Sequence, residues 1–282
     1  GIFIALAVGV VLGAGPLQRS INAGMNPSSS QAASDPVLSA QAEAEAAGLK
    51  ALASSTLTGS LTGTSVALVV LPGASDDDVS AIRSTLTDAG ASVVGRVTLT
   101  DNWQSTSMSQ YRTTLATTLA SHLQSGGAKT ASADGVVGYS IVQVLTSTGA
   151  ETDLLRQILT DKSTPLMTID EDPAGKATTL VAVGARAQTT TSTQASVAAS
   201  SDAWIGLGLA VGSTSGVVVG DASSREAMIS QIRTSGTAVT TVDSVGTTLA
   251  SVDTALALST ASSGARAFGV GNGAQSVIPS SK

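Results

Sequence analysis

The chain has 282 residues, 14 basic against 20 acidic side chains, a net charge of −6, and an apolar share of 42% with only 2% aromatics. It contains no Cys, which excludes disulfides, thiolate metal sites and cysteine nucleophiles. No cluster of Lys or Arg supplies the basic footprint that nucleic acid requires, so no nucleic-acid partner is expected.

Residues 1–17, GIFIALAVGVVLGAGPL, carry neither a charge nor a polar side chain. As a helix they would reach about 26 Å at about 1.5 Å per residue, slightly less than the roughly 30 Å core of a bilayer. The chain opens on Gly1 rather than Met, and a few upstream residues would complete a span. A transmembrane anchor over 1–17, truncated at its N-terminus, is therefore the expectation. A cleaved export signal and a soluble core helix stay open beside it, although Pro16 directly after Gly13 and Gly15 fits a protease-bound strand poorly, lacking an N–H and having a fixed φ. Arg19 alone is too little charge to orient the span. A Ser/Thr-rich, Lys-poor chain behind such a segment reads as an exported domain rather than a cytosolic one, so the expectation is a single-pass protein of the cell membrane with an extracytoplasmic domain.

Residues 18–62 form a linker and stalk. Pro27, Ser28 to Ser30 and Pro36 break any regular period. SAQAEAEAAGLKALASSTL then reads as a helix of three or four turns capped by Ser39 and ended by Gly59 and Gly63. It is too short to establish a coiled coil, so a dimerising stalk, and with it a homo-oligomer, stays open beside a simple surface helix.

Residues 63–282 carry the expected extracytoplasmic α/β domain. SVALVVLPGA reads as a strand apolar on both faces. SDDDVSAIRSTLTDAGA is a helix with Val79, Ile82 and Leu86 inward and Gly90 as its stop, and SVVGRVTLTD is a second strand. A βαβ unit with doubly apolar strands predicts a parallel sheet covered by helices. A helix over Gln104 to Gln124 should turn Met108, Leu115, Leu119 and Leu123 inward. DGVVGYSIVQVLTS is compatible with strand or helix, ETDLLRQILTD is helical, and TPLMTID and TTLVAVGA read as strands around the acidic turn EDPAGK. SDAWIGLGLAVGSTS reads as a Gly-containing helix before the strand GVVVGD. The stretch VVVGDASSREAMISQIRTSGTAVTTVDSVGT repeats the strand, turn, helix, Gly stop and strand of VVLPGASDDDVSAIRSTLTDAGASVVGRVTLTD. The expected fold is α/β, Rossmann-like, a parallel sheet or sheets with flanking helices in two related βαβ halves, either as one domain or as lobes at 63–175 and 176–282.

No catalytic constellation emerges, and the chain is read as non-enzymatic. Gly206, Gly208 and Gly212 approach a dinucleotide fingerprint, but the spacing is off by one and no strand leads into it, which favours close helix packing. Asp76, Asp77 and Asp78 occupy the helix N-terminus that would otherwise hold phosphate, satisfy its dipole and repel an anion. No nucleotide cofactor is therefore expected. Asp170, Glu171 and Asp172 could serve a hard cation but lack the ligand spacing of a Ca²⁺ loop, so a solvated acidic turn is the simpler reading. One His and many Ser leave a hydrolytic triad formally possible, yet no nucleophile-elbow pattern surrounds any Ser.

IALAVGVVLGAGPLQ, VVLPGA through AGASVVGRVTLTD, and the late TVDSVGTTLASVDTALAL followed by ARAFGVG resemble, in that order, the actinobacterial envelope family of MctB and SteB proteins, from the N-terminus to about Pro279. The resemblance implies a place in the cell envelope, with copper transport or export and copper homeostasis, described as an outer-membrane channel. For SteB-like members it implies envelope integrity and daughter-cell separation with a SteA-like partner. It carries no catalytic motif. NPSSSQAASDP interrupts the heptad-like segment that many members have after the anchor.

The residues themselves do not read as a channel, since the strands lack the alternating segments of about 9 to 11 residues that a membrane barrel needs. Copper(I) favours thiolate, thioether and imidazole ligands, and the stock is Met25, Met108, Met167, Met228 and His122. Met108 and His122 are the candidates for a metal, but 14 residues apart on one helix they cannot share an ion. Core packing for the methionines and a favourable charge at a helix C-terminus for His122 are the simpler readings. Copper enters as a transported ion rather than a resident cofactor.

Overall fold

The computed structural model describes residues 36–187, 198–260 and 264–279. The expected anchor over 1–17 and the linker before Pro36 lie outside them. The chain divides into two compact units, Gly1–Glu43 and Ala44–Lys282. The second contains all that follows, save the first turns of one helix.

That helix, α1, spans Pro36–Leu57. It begins three residues before the expected cap at Ser39, because the fixed φ of proline suits the first helical position, where its missing N–H has no partner to lose. Its C-terminal end buries Ala53 and Leu57 against the domain core, followed by Leu61 in the turn. Gly59 and Gly63, both at positive φ, shape that turn.

The core is a seven-stranded sheet in the order β3-β2-β1-β4-β5-β6-β7. Its strands are β1 Ser65–Val70, β2 Ser92–Leu99, β3 Met167–Glu171, β4 Thr179–Val183, β5 Val217–Val219, β6 Thr240–Val242 and β7 Arg266–Phe268. All neighbours are parallel except β2 and β3. The antiparallel edge departs from the expected all-parallel sheet for a topological reason. The connection over 172–178 must take the chain from the end of β3 to the start of β4, and a parallel β3 would finish at the far end of the sheet, needing a crossover of a dozen or more residues. Pro173 in that turn lies so close to β2 that a Cβ on Gly95 would come within 2.6 Å of it.

Helices cover both faces. On one side α1 and α2 (Asp76–Asp88) join α10 (Thr248–Ser259) over Val66, Leu68, Val181, Val217 and Val242. On the other, α4 (Ser109–His122), the short α5 (Gly126–Lys129), α6 (Ala133–Thr146), α7 (Ala150–Leu159), α8 (Ser201–Gly212) and α9 (Met228–Thr234) pack over Val69, Val97, Leu180 and Val218. Ser75 caps α2 by accepting from Asp77 N–H, and Val79, Ile82 and Leu86 are buried as their spacing predicts. DGVVGYSIVQVLTS, ambiguous in sequence, is α6, and its residues from Gly135 to Leu145 are buried except Tyr139. A helix apolar all round belongs in an interior, and α6 lies between α4 and α8.

The helix expected over Gln104 to Gln124 is broken at Ser105 into α3 (Asp101–Gln104), a short 3₁₀ turn (Thr106–Met108) and α4. The carbonyl of Gln104 accepts from Ser200 N–H at 2.7 Å. That of Ser105 accepts from the buried Arg112 guanidinium at 2.7 Å. Both are thereby withdrawn from a continuous helix. Leu119 and Leu123 are buried as expected, whereas Leu115 and Met108 are only half-buried.

The two sequence stretches that repeat one another are β1-α2-β2 and β5-α9-β6, and both lie in this one sheet. Their helices lie on opposite faces and their chains step in opposite directions along the sheet, so the two crossovers have the same hand. The last crossover, β6-α10-β7, steps in the same direction as β5-α9-β6 but passes over the other face. It therefore has the opposite hand, an arrangement seen in about 2% of such units.

Candidate functional site

Where strand order reverses, between β1 and β4, open α/β sheets commonly bind ligands outside the strand carboxyl ends. Here that position is occupied by protein. Asp78, at the N-terminus of α2 and 4% exposed, receives Arg186 from the loop after β4 in a two-point ion pair of 2.8 and 2.6 Å. A Cβ on Gly246 would come within 2.5 Å of the same guanidinium. The Asp78 hydrogen bonds and charge raise the Arg186 pKa, and the pair closes the crevice with its own charges.

The open site lies further along the same edge, at the carboxyl ends of β5, β6 and β7. A cleft of about 630 Å³ is lined there by Asp221, Ser223, Asp243, Ser244 and the backbone over 270–273. Asp221 folds its loop by accepting from Ser223 N–H at 2.8 Å and Ser223 Oγ at 3.0 Å. Asp243, 1% exposed, takes four donors: Ser244 Oγ at 2.7 Å, Val270 N–H at 2.8 Å, Arg233 at 2.9 Å and Gly271 N–H at 3.0 Å. Burial pushes its carboxyl up, but these donors together hold it below the usual carboxylate range.

Arg233, reaching across from α9, spends the rest of its fork on Thr241 Oγ1, Phe268 O and Asn272 O at 2.8 to 2.9 Å. Burial lowers its pKa and the Asp243 charge opposes the shift. Arg233 and Asp243 thus clasp β7 and its following loop onto α9 and β6. Ser244 stands at φ 61 in the left-handed region, and Gly269 at φ 121 approaches Asp243 so closely that a Cβ there would collide with the carboxylate. Strain, a buried ion pair and a cleft coincide at this end of the sheet, a combination typical of functional sites.

The residues singled out in the sequence lie elsewhere. Met108 and His122 flank α4, Met108 preceding its first residue and His122 being its last, so the two are not brought together. His122 Nδ1 meets Glu151 Oε2 at 2.6 Å, while its carbonyl accepts from Gln143 Nε2 at 3.1 Å. Met167 is fully buried in β3. Met228, 8% exposed, lays its methyl where a Cβ on Gly184 or Gly220 would stand, at 2.5 and 2.4 Å. Met25 falls outside the described residues. Among the described residues no group of three His, Cys, Asp or Glu could hold a metal ion.

Asp170, Glu171 and Asp172 are each held by an arginine: Asp170 by Arg96 at 3.3 Å, Glu171 by Arg83 and Asp172 by Arg156, both at 2.6 Å. They pin the antiparallel edge strand. Gly206 serves helix packing, since a Cβ there would stand 2.4 Å from the Asp134 carbonyl carbon of α6, and one on Gly138 would meet the Gly206 carbonyl at 2.6 Å.

The family model described as copper transport outer membrane protein, MctB, matches residues 1–279. The chain belongs to the MctB family. It is accordingly a copper-transport-related envelope protein, associated by that description with the outer membrane. A search of curated proteins finds no match. Among the described residues no helix is long and apolar enough to cross a membrane.

Sequence reasoning missed Asp243, Arg233 and Asp221 as a group. A signal was present in VVVGD and TTVD, two apolar strands each running into an Asp at its carboxyl end.

Proposed function

We propose that this MctB family member serves copper export and homeostasis as a membrane-anchored protein whose Rossmann-like domain, in water outside the cytoplasm, is a non-catalytic binding and docking module. The pore, where one exists, is left to other segments or other copies. The observation that carries this reading is the covering of the described sheet by helices on both faces, which leaves β1, β2, β4, β5 and β6 no face for lipid. A groove of about 400 Å³ among α1, α2 and α10, edged by Lys50, Arg186 and Asp88, offers a surface for docking, and the family resemblance implies a partner of the SteA type.

Three measurements test the proposal. Loss of the protein should raise cellular copper, and unchanged copper would remove the transport role and leave the SteB-type scaffold of cell separation. Purified protein should give no ion conductance in planar bilayers, and discrete copper-carrying channels would overturn the docking role. Pull-down from membranes should recover envelope proteins in stoichiometric amounts.

A further inference from the structure

Asp253 is fully buried in α10, and neither of its carboxyl oxygens has a hydrogen-bond partner among the described residues. A lone carboxylate in such a place costs more than the fold can bear, and the group keeps its proton instead. Its surroundings deepen that preference. α10 packs against β6, β5 and α2. The strand β6 leads into Asp243, whose charge acts on Asp253 and whose own counter-ion, Arg233, is already spent on four acceptors. The loop after β5 carries Asp221, engaged with Ser223. From α2, Asp77, Asp78 and Asp88 border the groove beside α10, with Asp78 committed to Arg186. Arg83 of α2 is spent on Glu171, so among the described residues no cation on these elements is left for Asp253.

We propose that Asp253 is a proton-binding site operating a catch on the cleft end of the sheet. With Asp253 protonated, α10 seats over β6 and the Arg233–Asp243 clasp holds the segment over 266–276. Ionisation places a second negative charge beside Asp243 and favours opening, which releases that segment and the cleft wall it forms. The proton is taken from and returned to water, with no other reactant.

Burial, followed by the charge of Asp243, pushes the Asp253 carboxyl up to about 8, against about 3.9 for a free aspartate. Opening between these limits releases one proton, so the opening constant should rise about tenfold per pH unit across that range and level off above it.

The test is hydrogen exchange of the full chain from pH 5 to 9, corrected for intrinsic rates, read at Val270 and Gly271 N–H, the two amides that donate to Asp243. Their protection should fall by up to tenfold per pH unit in the wild type and stay flat in Asp253→Asn, which mimics the protonated group. Flat protection in the wild type, or the same fall in the variant, would overturn the proposal. Should the variant fail to fold, a carbon-13 carboxyl titration of the wild-type protein decides: a midpoint well above the ordinary carboxylate range is expected, and a midpoint near 4 for Asp253 would overturn it.

Discussion

Replacing Arg233 by Met removes the cation of the clasp while keeping most of the aliphatic volume. The pair is among the most enclosed in the structure, its side chains 7% and 1% exposed. Breaking a buried pair by deleting one partner costs about 3–5 kcal/mol, because the other charge stays buried. Asp243 keeps Ser244 Oγ and two backbone N–H donors, which argues for the lower part of that range. At about 2–4 °C per kcal/mol for a domain of this size, a cost of about 3–4 kcal/mol lowers the melting temperature by roughly 6–16 °C.

Calorimetry on Arg233→Met reads this directly. Arg233→Lys should recover only part of the loss, since an ammonium cannot span Thr241, Phe268, Asn272 and Asp243 as the planar fork does. Combined with Asp243→Asn, the loss should be less than the sum of the two single changes, because no charge is then left unpaired. A fall of less than about 2 °C for Arg233→Met, or strict additivity in the double variant, would refute the assignment of Arg233 as the clasp.

Gly206→Val should abolish folding or cost several kcal/mol, as its side chain would enter the Asp134 backbone of α6, whereas Gly127→Ala, with nothing within 4 Å, should be tolerated; chemical denaturation separates the two. Arg83→Ala should change stability by less than about 1 kcal/mol, because that pair is 38% and 45% exposed and solvent screens it. Acidification supplies a further check. The Arg83 hydrogen bond to Glu171, the Arg156 hydrogen bond to Asp172 and the donors to Asp243 hold these carboxyls below their ordinary values. Their contribution is complete above the unfolded carboxylate range near 4 and is lost as pH falls through the lower folded values. Asp253 has the opposite sign: its folded value is raised, so its contribution is complete below about 4 and is lost as pH rises towards about 8. Melting temperature against pH should therefore decline on both sides of a weakly acidic optimum, and Asp253→Asn should flatten the alkaline side alone.

Much of the sheet was legible because its signals are local. Ser75, three aspartates and Gly90 bracket α2, and the β-branched runs of β1, β4 and β5 admit little but buried strands. The break at Ser105 was not legible, because it depends on Arg112 and Ser200 claiming two carbonyls from outside the helix. The antiparallel β3 could have been inferred from the short connection over 172–178. The clasp was hidden for a different reason: Arg233, Asp243 and residues 268–272 come from three separate elements, and only the reversed last crossover brings them together. Asp253, in SVDTALAL, carries no local signal in the sequence and becomes a buried acid only once α10 is seen enclosed on nearly every side. The copper candidates Met108 and His122 stand at opposite ends of α4, a separation their spacing already implies.

The absence of Cys from the chain permits a direct test of the central claim that the sheet is enclosed by helices in the native protein. Leu68 and Val69, adjacent on β1 and pointing to opposite faces, are both fully buried. With Leu68→Cys and Val69→Cys introduced singly into the full-length protein in native membranes, both thiols should resist a water-soluble reagent and both should stay dark to a lipid-phase one. Reactivity alternating along β1, one residue open to water and the next to lipid, would contradict it.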